Sequence, residues 1–280
     1  MNATQILAST LLLFASAGQL VAQTPSAVPA RTPQPTSAPA SPAAPAVPPP
    51  TAADIAYMQQ LLQDWSQLKR YQADNAKLPP AGASPSSSPS SSHDPAEARV
   101  VFYGDSITDG WGRWAGEFFP GRPYINRGIS GQTTPQMLVR FEQDVVRLHP
   151  AAVLILAGTN DIAGNTGPET PQQIEDNFAA MVAIARQNNI KVILASITPA
   201  YNYPWKPGID PVPAIRQLNQ WLKNYANTQR LTYLDYYSAM SDQKGAMKPG
   251  LAKDGVHPTA EGYAIMTPLA EAAIAQALQK

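Results

Sequence analysis

The stretch "AAVLILAG", residues 151–158, decides the fold. Apolar residues follow one another from Ala152 to Ala157 with no polar alternation, and Gly158 ends the run. A strand apolar on both faces is covered on both faces, which is the position of a central strand in a parallel sheet. "KVILAS", 191–196, repeats the pattern. Shorter apolar runs bounded by turn residues at 100–103, 124–126 and 231–234 read as three more strands. Between the strands lie helical patterns at 134–148, 171–187, 213–228 and 259–278. In the first of these Met137, Leu138, Phe141, Val145 and Leu148 fall on one side. In the second Pro171 suits a first turn, and Ile174, Phe178, Met181, Val182 and Ala185 make the stripe. Strands alternating with helices predict an α/β protein, a three-layer α/β/α sandwich around a central, mostly parallel, five-stranded sheet.

Such a sheet binds ligands beyond the carboxyl ends of its strands. The residues following each strand therefore belong to one group. "GDSITDGW" (104–111) follows the first strand, "NRGISGQTT" (126–134) the second and "AGTND" (157–161) the third. "DGVHPT" (254–259) precedes the last helix. A serine hydroxyl needs a base to take its proton during attack. His257 is the histidine placed for that work beside Ser106, and Asp254, three residues earlier, can fix its tautomer. The oxyanion of an attacked ester needs waiting donors. The Ser106 N–H, the Gly128 N–H and the Asn160 side-chain amide are the candidates, Gly128 because it lacks a Cβ. Asp105 and Asp109 read as partners of loop amides, and Asp161 as a structural neighbour of Asn160.

These four blocks, in this order, resemble those of the SGNH hydrolases, also called the GDSL esterase/lipase family. Within it they look most similar to the branch of platelet-activating-factor acetylhydrolases and carbohydrate acetyl esterases. The resemblance runs from about Arg99 to the end of the chain, with the segment around "QDWSQLKRYQADNAKL" (63–78). It implies the flavodoxin-like SGNH fold, Ser106 as nucleophile, Gly128 and Asn160 as oxyanion donors, His257 as base and Asp254 as its partner, with no cofactor and no metal. Ile107 stands where the family's name has Leu. The block is not the G-x-S-x-G elbow of α/β-hydrolases, because Thr108 occupies the second glycine's place.

The substrate side is less patterned. "AYNYPWKPGIDP" (200–211) follows the fourth strand and offers Tyr201, Tyr203 and Trp205 as walls for a sugar or a short acyl chain. Trp111 and Trp114 lie close to Ser106 in sequence and could serve the same way, and Arg127 is a candidate contact to a polar substrate group. The expected activity is hydrolysis of short-chain esters, acetyl first, on a carbohydrate or lipid-like alcohol. The alternatives are acyl transfer to a sugar and an inactive ligand-binding sandwich.

Composition removes other classes. The 280 residues carry 20 Lys and Arg against 20 Asp and Glu, only 14% charged in all, with no basic run to hold nucleic acid. With no cysteine there is neither a disulfide nor a thiolate nucleophile. The three histidines are far apart in sequence, which argues against a histidine metal site. About half of the 29 prolines fall between Thr24 and Pro95. Residues 1–22 read as a signal peptide, with an apolar core too short to span a membrane, so that the mature chain has no integral span and is exported to the periplasm or beyond the cell. Residues 23–51 read as a Pro/Ala-rich disordered tether and 79–97 as a Pro/Ser-rich linker. Between them, 52–78 predicts one amphipathic helix packed on the main domain through Ile55, Met58, Leu61, Leu62, Trp65, Leu68 and Tyr71 or Tyr57. The main domain is expected over 98–280.

Overall fold

The computed structural model describes residues 49–80, 98–114 and 116–280. The signal segment, most of the tether and most of the second linker lie outside the described residues.

Five parallel strands form one sheet: β1 (Val100–Gly104), β2 (Tyr124–Gly128), β3 (Ala152–Leu156), β4 (Lys191–Ala195) and β5 (Thr232–Leu234). Their spatial order is β2-β1-β3-β4-β5. The chain leaves β1 toward one edge to make β2, then returns to the other side of β1 for β3. The loops after β1 and β3 therefore diverge, and a crevice opens between them at the carboxyl edge. Register brings the ends level: Gly104 lies opposite both Gly128 and Leu156.

Alternate residues of the strands feed two separate cores. Val101, Tyr103, Val153, Ile155, Val192 and Leu194 pack under helices α4 (Thr134–Asp144), α6 (Pro171–Gln187) and α7 (Val212–Thr228). Val100, Phe102, Leu154, Leu156, Ile193 and Ala195 pack against α8 (Tyr236–Met240), α9 (Ala260–Gln279) and an aromatic group that includes Trp111, Phe119 and Tyr263. The unbroken apolar run of β3 is the direct consequence of a helical layer on each face. Helix starts follow local chemistry. Thr133 and Gln136 make a capping box before α4, Thr170 and Gln173 do so before α6, and a proline occupies the first turn of each. The pattern expected over 134–148 is α4 followed by a 3-10 turn, Val146–Leu148.

The segment 52–78 is not the single helix expected. It forms α1 (Ala52–Gln63) and a short α2 (Gln72–Ala76). Between them the Asp64 carboxylate accepts from the Leu68 and Lys69 N–H groups at 2.8 and 3.0 Å, and Gln67 is left-handed at φ 53°. Ile55, Met58, Leu62, Trp65 and Leu68 stay exposed, while Ser66 and Tyr71 are buried. The attachment is polar. Gln132, Gln136 and Gln143 donate to the carbonyls of Ser66, Trp65 and Leu68 at 2.8, 2.7 and 2.6 Å. The Tyr71 hydroxyl donates to the Gly128 carbonyl. Among the described residues no helix is long and apolar enough to cross a membrane.

Candidate active site

Ser106 begins α3 (Ser106–Asp109), a single turn entered directly from β1. Asp105 caps that turn through a 2.9 Å bond from the Ile107 N–H to Oδ1. Burial pushes the Asp105 carboxyl up to about 6, against the Ile107 bond and the nearby His257, which lower it. The cap holds Ser106 at the end of the strand, with its hydroxyl toward the crevice.

His257 arrives from the loop before α9. Its Nε2 lies 2.9 Å from Ser106 Oγ, and its Nδ1 lies 2.7 Å from Asp254 Oδ2. The other carboxylate oxygen, Oδ1, accepts from the Val256 and His257 N–H groups at 3.0 and 2.8 Å. Burial raises the Asp254 carboxyl, but the His257 backbone and ring bonds and the Val256 bond outweigh it and hold it below the ordinary carboxylate range. A charged acceptor at Nδ1 keeps the proton on that nitrogen and leaves Nε2 free to accept. The line from carboxylate through imidazole to hydroxyl has the polarity that nucleophile activation requires.

Ser106 and His257 open into a cavity of about 230 Å³ whose other lining residues are Trp114, Ser130, Gly131, Asn160, Asn165 and Trp205. Trp114 meets the His257 ring edge-on, with centroids 5.7 Å apart, and Lys253 Nζ sits 5.0 Å from the Trp114 ring centre. Trp205 lies tilted against His257 at 5.7 Å and stacks on Tyr203. Asn160, in the short helix α5 (Thr159–Ala163), is buried behind this cavity, and its Nδ2 donates to the Gln132 carbonyl at 3.0 Å. Asp161 beside it accepts from both the N–H and the hydroxyl of Thr134, at 2.8 and 2.5 Å, tying α5 to the start of α4. Burial raises the Asp161 carboxyl, against those Thr134 bonds.

Gly128 is not at this cavity, which corrects its expected place as an oxyanion donor. The sequence suggests a strand over 124–126, whereas β2 continues to Gly128. The Gly128 N–H is spent on Asn126 Oδ1 at 2.9 Å. A Cβ there would lie 2.1 Å from the Asp109 nitrogen, so this glycine lets β2 pack beneath α3. The glycine that faces the cavity is Gly131, at φ +80° in the turn beyond the strand. Its signal was the second glycine of "GISG", displaced from the site only by ending the strand two residues early.

The substrate candidates divide in the same way. Trp205 lines the cavity. Trp111 is buried among Phe102, Phe119 and Tyr263. Arg127 is buried on the far side of β2, donating to Asn75 Oδ1 at 2.8 Å and to the Asn126 carbonyl at 2.7 Å, with its guanidinium over Tyr71. Tyr203 is buried as the support for Trp205, and Tyr201 is exposed outside the lining. Of the two tryptophans near Ser106 in sequence it is Trp114 that lines the cavity, and Ser130, Gly131 and Asn165 are the lining residues without an expected role. Among the described residues no three His, Asp or Glu side chains gather as a metal site.

A strand-end serine in line with imidazole and carboxylate, on a sheet ordered 2-1-3-4-5, is the arrangement of a serine-type hydrolase. Comparison with known proteins agrees in kind. The family model of the GDSL-like Lipase/Acylhydrolase family matches residues 102–265, and the chain belongs to that family. It is a carboxylic ester hydrolase. Over 201 residues it is 26% identical to an acetylxylan esterase of Geobacillus stearothermophilus, covering 60% of this chain and 90% of that one. A crystal structure of a GDSL-like lipase from Bacteroides thetaiotaomicron superposes with a TM-score of 0.69 at 42% identity, covering 76% of this chain and 99% of that one. A second, from Bacteroides fragilis and provisionally assigned as an acylhydrolase, gives 0.70 at 46% identity, with 77% and 99% covered.

Proposed function

We propose that Ser106 is the nucleophile, His257 its base and Asp254 the group that fixes the base, in an esterase for short acyl groups carried on a carbohydrate. The observation that carries this reading is the 2.9 and 2.7 Å sequence from Ser106 Oγ through His257 to Asp254, opening on a small cavity. Ser106 Oγ attacks the ester carbonyl carbon while His257 Nε2 takes its proton. The oxyanion is held by the Ser106 N–H at the start of α3, the Gly131 N–H and the free hydrogen of the Asn160 amide. The C–O bond then breaks, the alcohol leaves with the proton from His257, and the acyl group stays on Ser106. Water, deprotonated by His257, releases the acid and restores the serine.

The cavity's size supports an acyl group of a few carbons, since about 230 Å³ is below the ~300–1,000 Å³ of sites that enclose larger ligands. The half-exposed rings of Trp114 and Trp205 flank it and offer flat apolar faces to a sugar. The acetylxylan esterase relative points the same way. The test is hydrolysis of p-nitrophenyl esters from acetate to octanoate and of acetylated xylan, by the wild type beside Ser106→Ala. The reading requires serine-dependent turnover that falls with chain length; equal turnover by Ser106→Ala refutes it. We also place the enzyme outside the cytoplasm, on the apolar run 6–22 and the Pro/Ala-rich segment behind it. Mass spectrometry of the native protein should find an N-terminus at Gln23, and an intact N-terminus in a cytoplasmic fraction would refute the placement.

A further inference from the structure

Asn165 and Trp205 line the cavity, and the bond-making steps proposed above use neither. We propose that they are positioning residues which fix the orientation of the Asn160 amide. The inference rests on the esterase reading, in which that amide donates to the oxyanion.

The argument is one of hydrogen-bond polarity. An asparagine side chain has almost the same shape with its oxygen and nitrogen exchanged, so its neighbours decide which end faces the reaction. The wrong end at an oxyanion hole would present a carbonyl oxygen to a developing negative charge. The Trp205 indole N–H can only donate. It meets Asn165 Oδ1 at 3.1 Å. The Asn165 NH2 group therefore faces the other way, where it donates to Asn160 Oδ1 at 2.9 Å and to the Gly131 carbonyl at 3.2 Å. Asn160 must then keep its oxygen toward Asn165. Of its two N–H hydrogens one goes to the Gln132 carbonyl at 3.0 Å, and the other remains for the cavity. Groups of fixed polarity thus set the sense of the series from both ends: the donor-only indole at Trp205 and the acceptor-only Gln132 and Gly131 carbonyls. Asn165 also braces the Gly131 turn, so both oxyanion donors outside Ser106 share a single support. Trp205 is at the same time a wall beside His257, stacked on buried Tyr203, which holds the indole in place.

The decisive variant is Asn165→Asp. It keeps the shape and still accepts from Trp205, but it turns an acceptor toward Asn160. Asn160 must then hold its oxygen against that carboxylate, or turn over and set its oxygen against the Gln132 carbonyl and the cavity; either way the donor is misplaced. The expected result is a loss in kcat of about 10²–10³-fold, the usual effect of losing an oxyanion donor, with KM within about threefold of wild type. Asn165→Ala, which removes the support without inverting the amide, should lose about tenfold. Trp205→Phe keeps a stacked ring but no donor, and kcat should fall more than KM changes. Affinity for phenylboronic acid, which forms a tetrahedral adduct on a nucleophilic serine, should fall in parallel with kcat. A role limited to holding the fold would order the variants by melting temperature instead, and would leave boronate affinity tracking KM. Asn165→Asp with kcat within threefold of wild type, while Ser106→Ala is dead, overturns the positioning role and leaves the esterase standing. An active Ser106→Ala overturns the esterase itself. Should Asn165→Asp not fold, Trp205→Phe decides, and an unchanged kcat there counts against the proposal.

Discussion

Arg140→Met removes a guanidinium with no exposed surface. Its Nε donates to Gln132 Oε1 at 2.5 Å, one terminal nitrogen to the Arg127 carbonyl at 2.9 Å and Asp144 Oδ2 at 3.2 Å, and the other to the Gly104 carbonyl at 3.1 Å. The cation also lies 4.2 Å from the centre of the Tyr103 ring. One side chain on α4 therefore holds the end of β1, the last turn of β2 and the loop that positions Gln132. Methionine replaces the aliphatic stem but none of these bonds. Asp144, equally buried, keeps its bonds from Asn75 and Gln143 at 2.8 and 3.1 Å but loses its cation. Breaking such a pair from one side costs about 3–5 kcal/mol. At about 2–4 °C per kcal/mol for a domain of this size, the melting temperature should fall by about 6–20 °C. Circular dichroism melts give the value directly. The double variant Arg140→Met/Asp144→Asn, which leaves no uncompensated charge, should recover about 1–3 kcal/mol of the loss. Because Gly104 precedes the Asp105–Ser106 turn, kcat should also drop at temperatures where the single variant is still folded. A single variant that melts within about 2 °C of wild type refutes the reasoning, and so does a double variant whose losses simply add.

Three further outcomes follow from the site. In Asp254→Asn the amide oxygen stays with the Val256 and His257 N–H groups, so its NH2 faces Nδ1, forces the proton onto Nε2 and removes the base; kcat should fall about 10⁴-fold with little change in KM, measured on p-nitrophenyl acetate. Asp105 carries its carboxyl raised from 3.8 to about 6 by burial, so the folded state holds a proton that the unfolded chain has released. The stability it contributes is complete below about 3.8 and is lost as pH rises through about 6, an amount of about 2–3 kcal/mol; Asp105→Asn, which can still cap Ile107, should flatten that part of the stability–pH curve measured by urea unfolding. Gly128→Ala drives a Cβ to 2.1 Å from the Asp109 nitrogen and should chiefly lower the melting temperature, whereas Gly131→Ala, whose Cβ meets only Asn165 Nδ2 at 4.0 Å but at φ +80°, should chiefly lower kcat; the reverse assignment contradicts the proposed oxyanion site.

The parts of this protein that the sequence made legible are those written in side-chain pattern. The double-faced apolar run of β3 announced a covered parallel sheet, and the strand-end rule grouped Ser106, Asn160 and the Asp254–His257 loop before any coordinates. What escaped was written in the backbone. The 64–78 segment is held by glutamines of the Gln132–Gln143 stretch reaching its carbonyls, and a carbonyl leaves no trace in an apolar pattern. In α1 the exposed Ile55, Met58 and Leu62 make a helical stripe that the described domain does not cover. Gly128 takes the donor's place in the sequence pattern because β2 runs two residues beyond the expected 124–126, and a polar "NRG" gives no apolar signal for a strand that continues. Trp111 and Arg127 looked available because sequence proximity to Ser106 and to the second block says nothing of direction. Trp111 points into the core beneath α9, and Arg127 points to Asn75.

The central claim is that Ser106 is made nucleophilic by His257 and Asp254. It is tested most directly by treating the purified protein with a fluorophosphonate and mapping the adduct by mass spectrometry. The account predicts one phosphonyl group per chain, on Ser106, with fluoride released, esterase activity lost in proportion, and labelling slowed at least a hundredfold in Asp254→Asn. An unlabelled Ser106 in an enzyme that still turns over p-nitrophenyl acetate, or labelling that ignores Asp254, would contradict it.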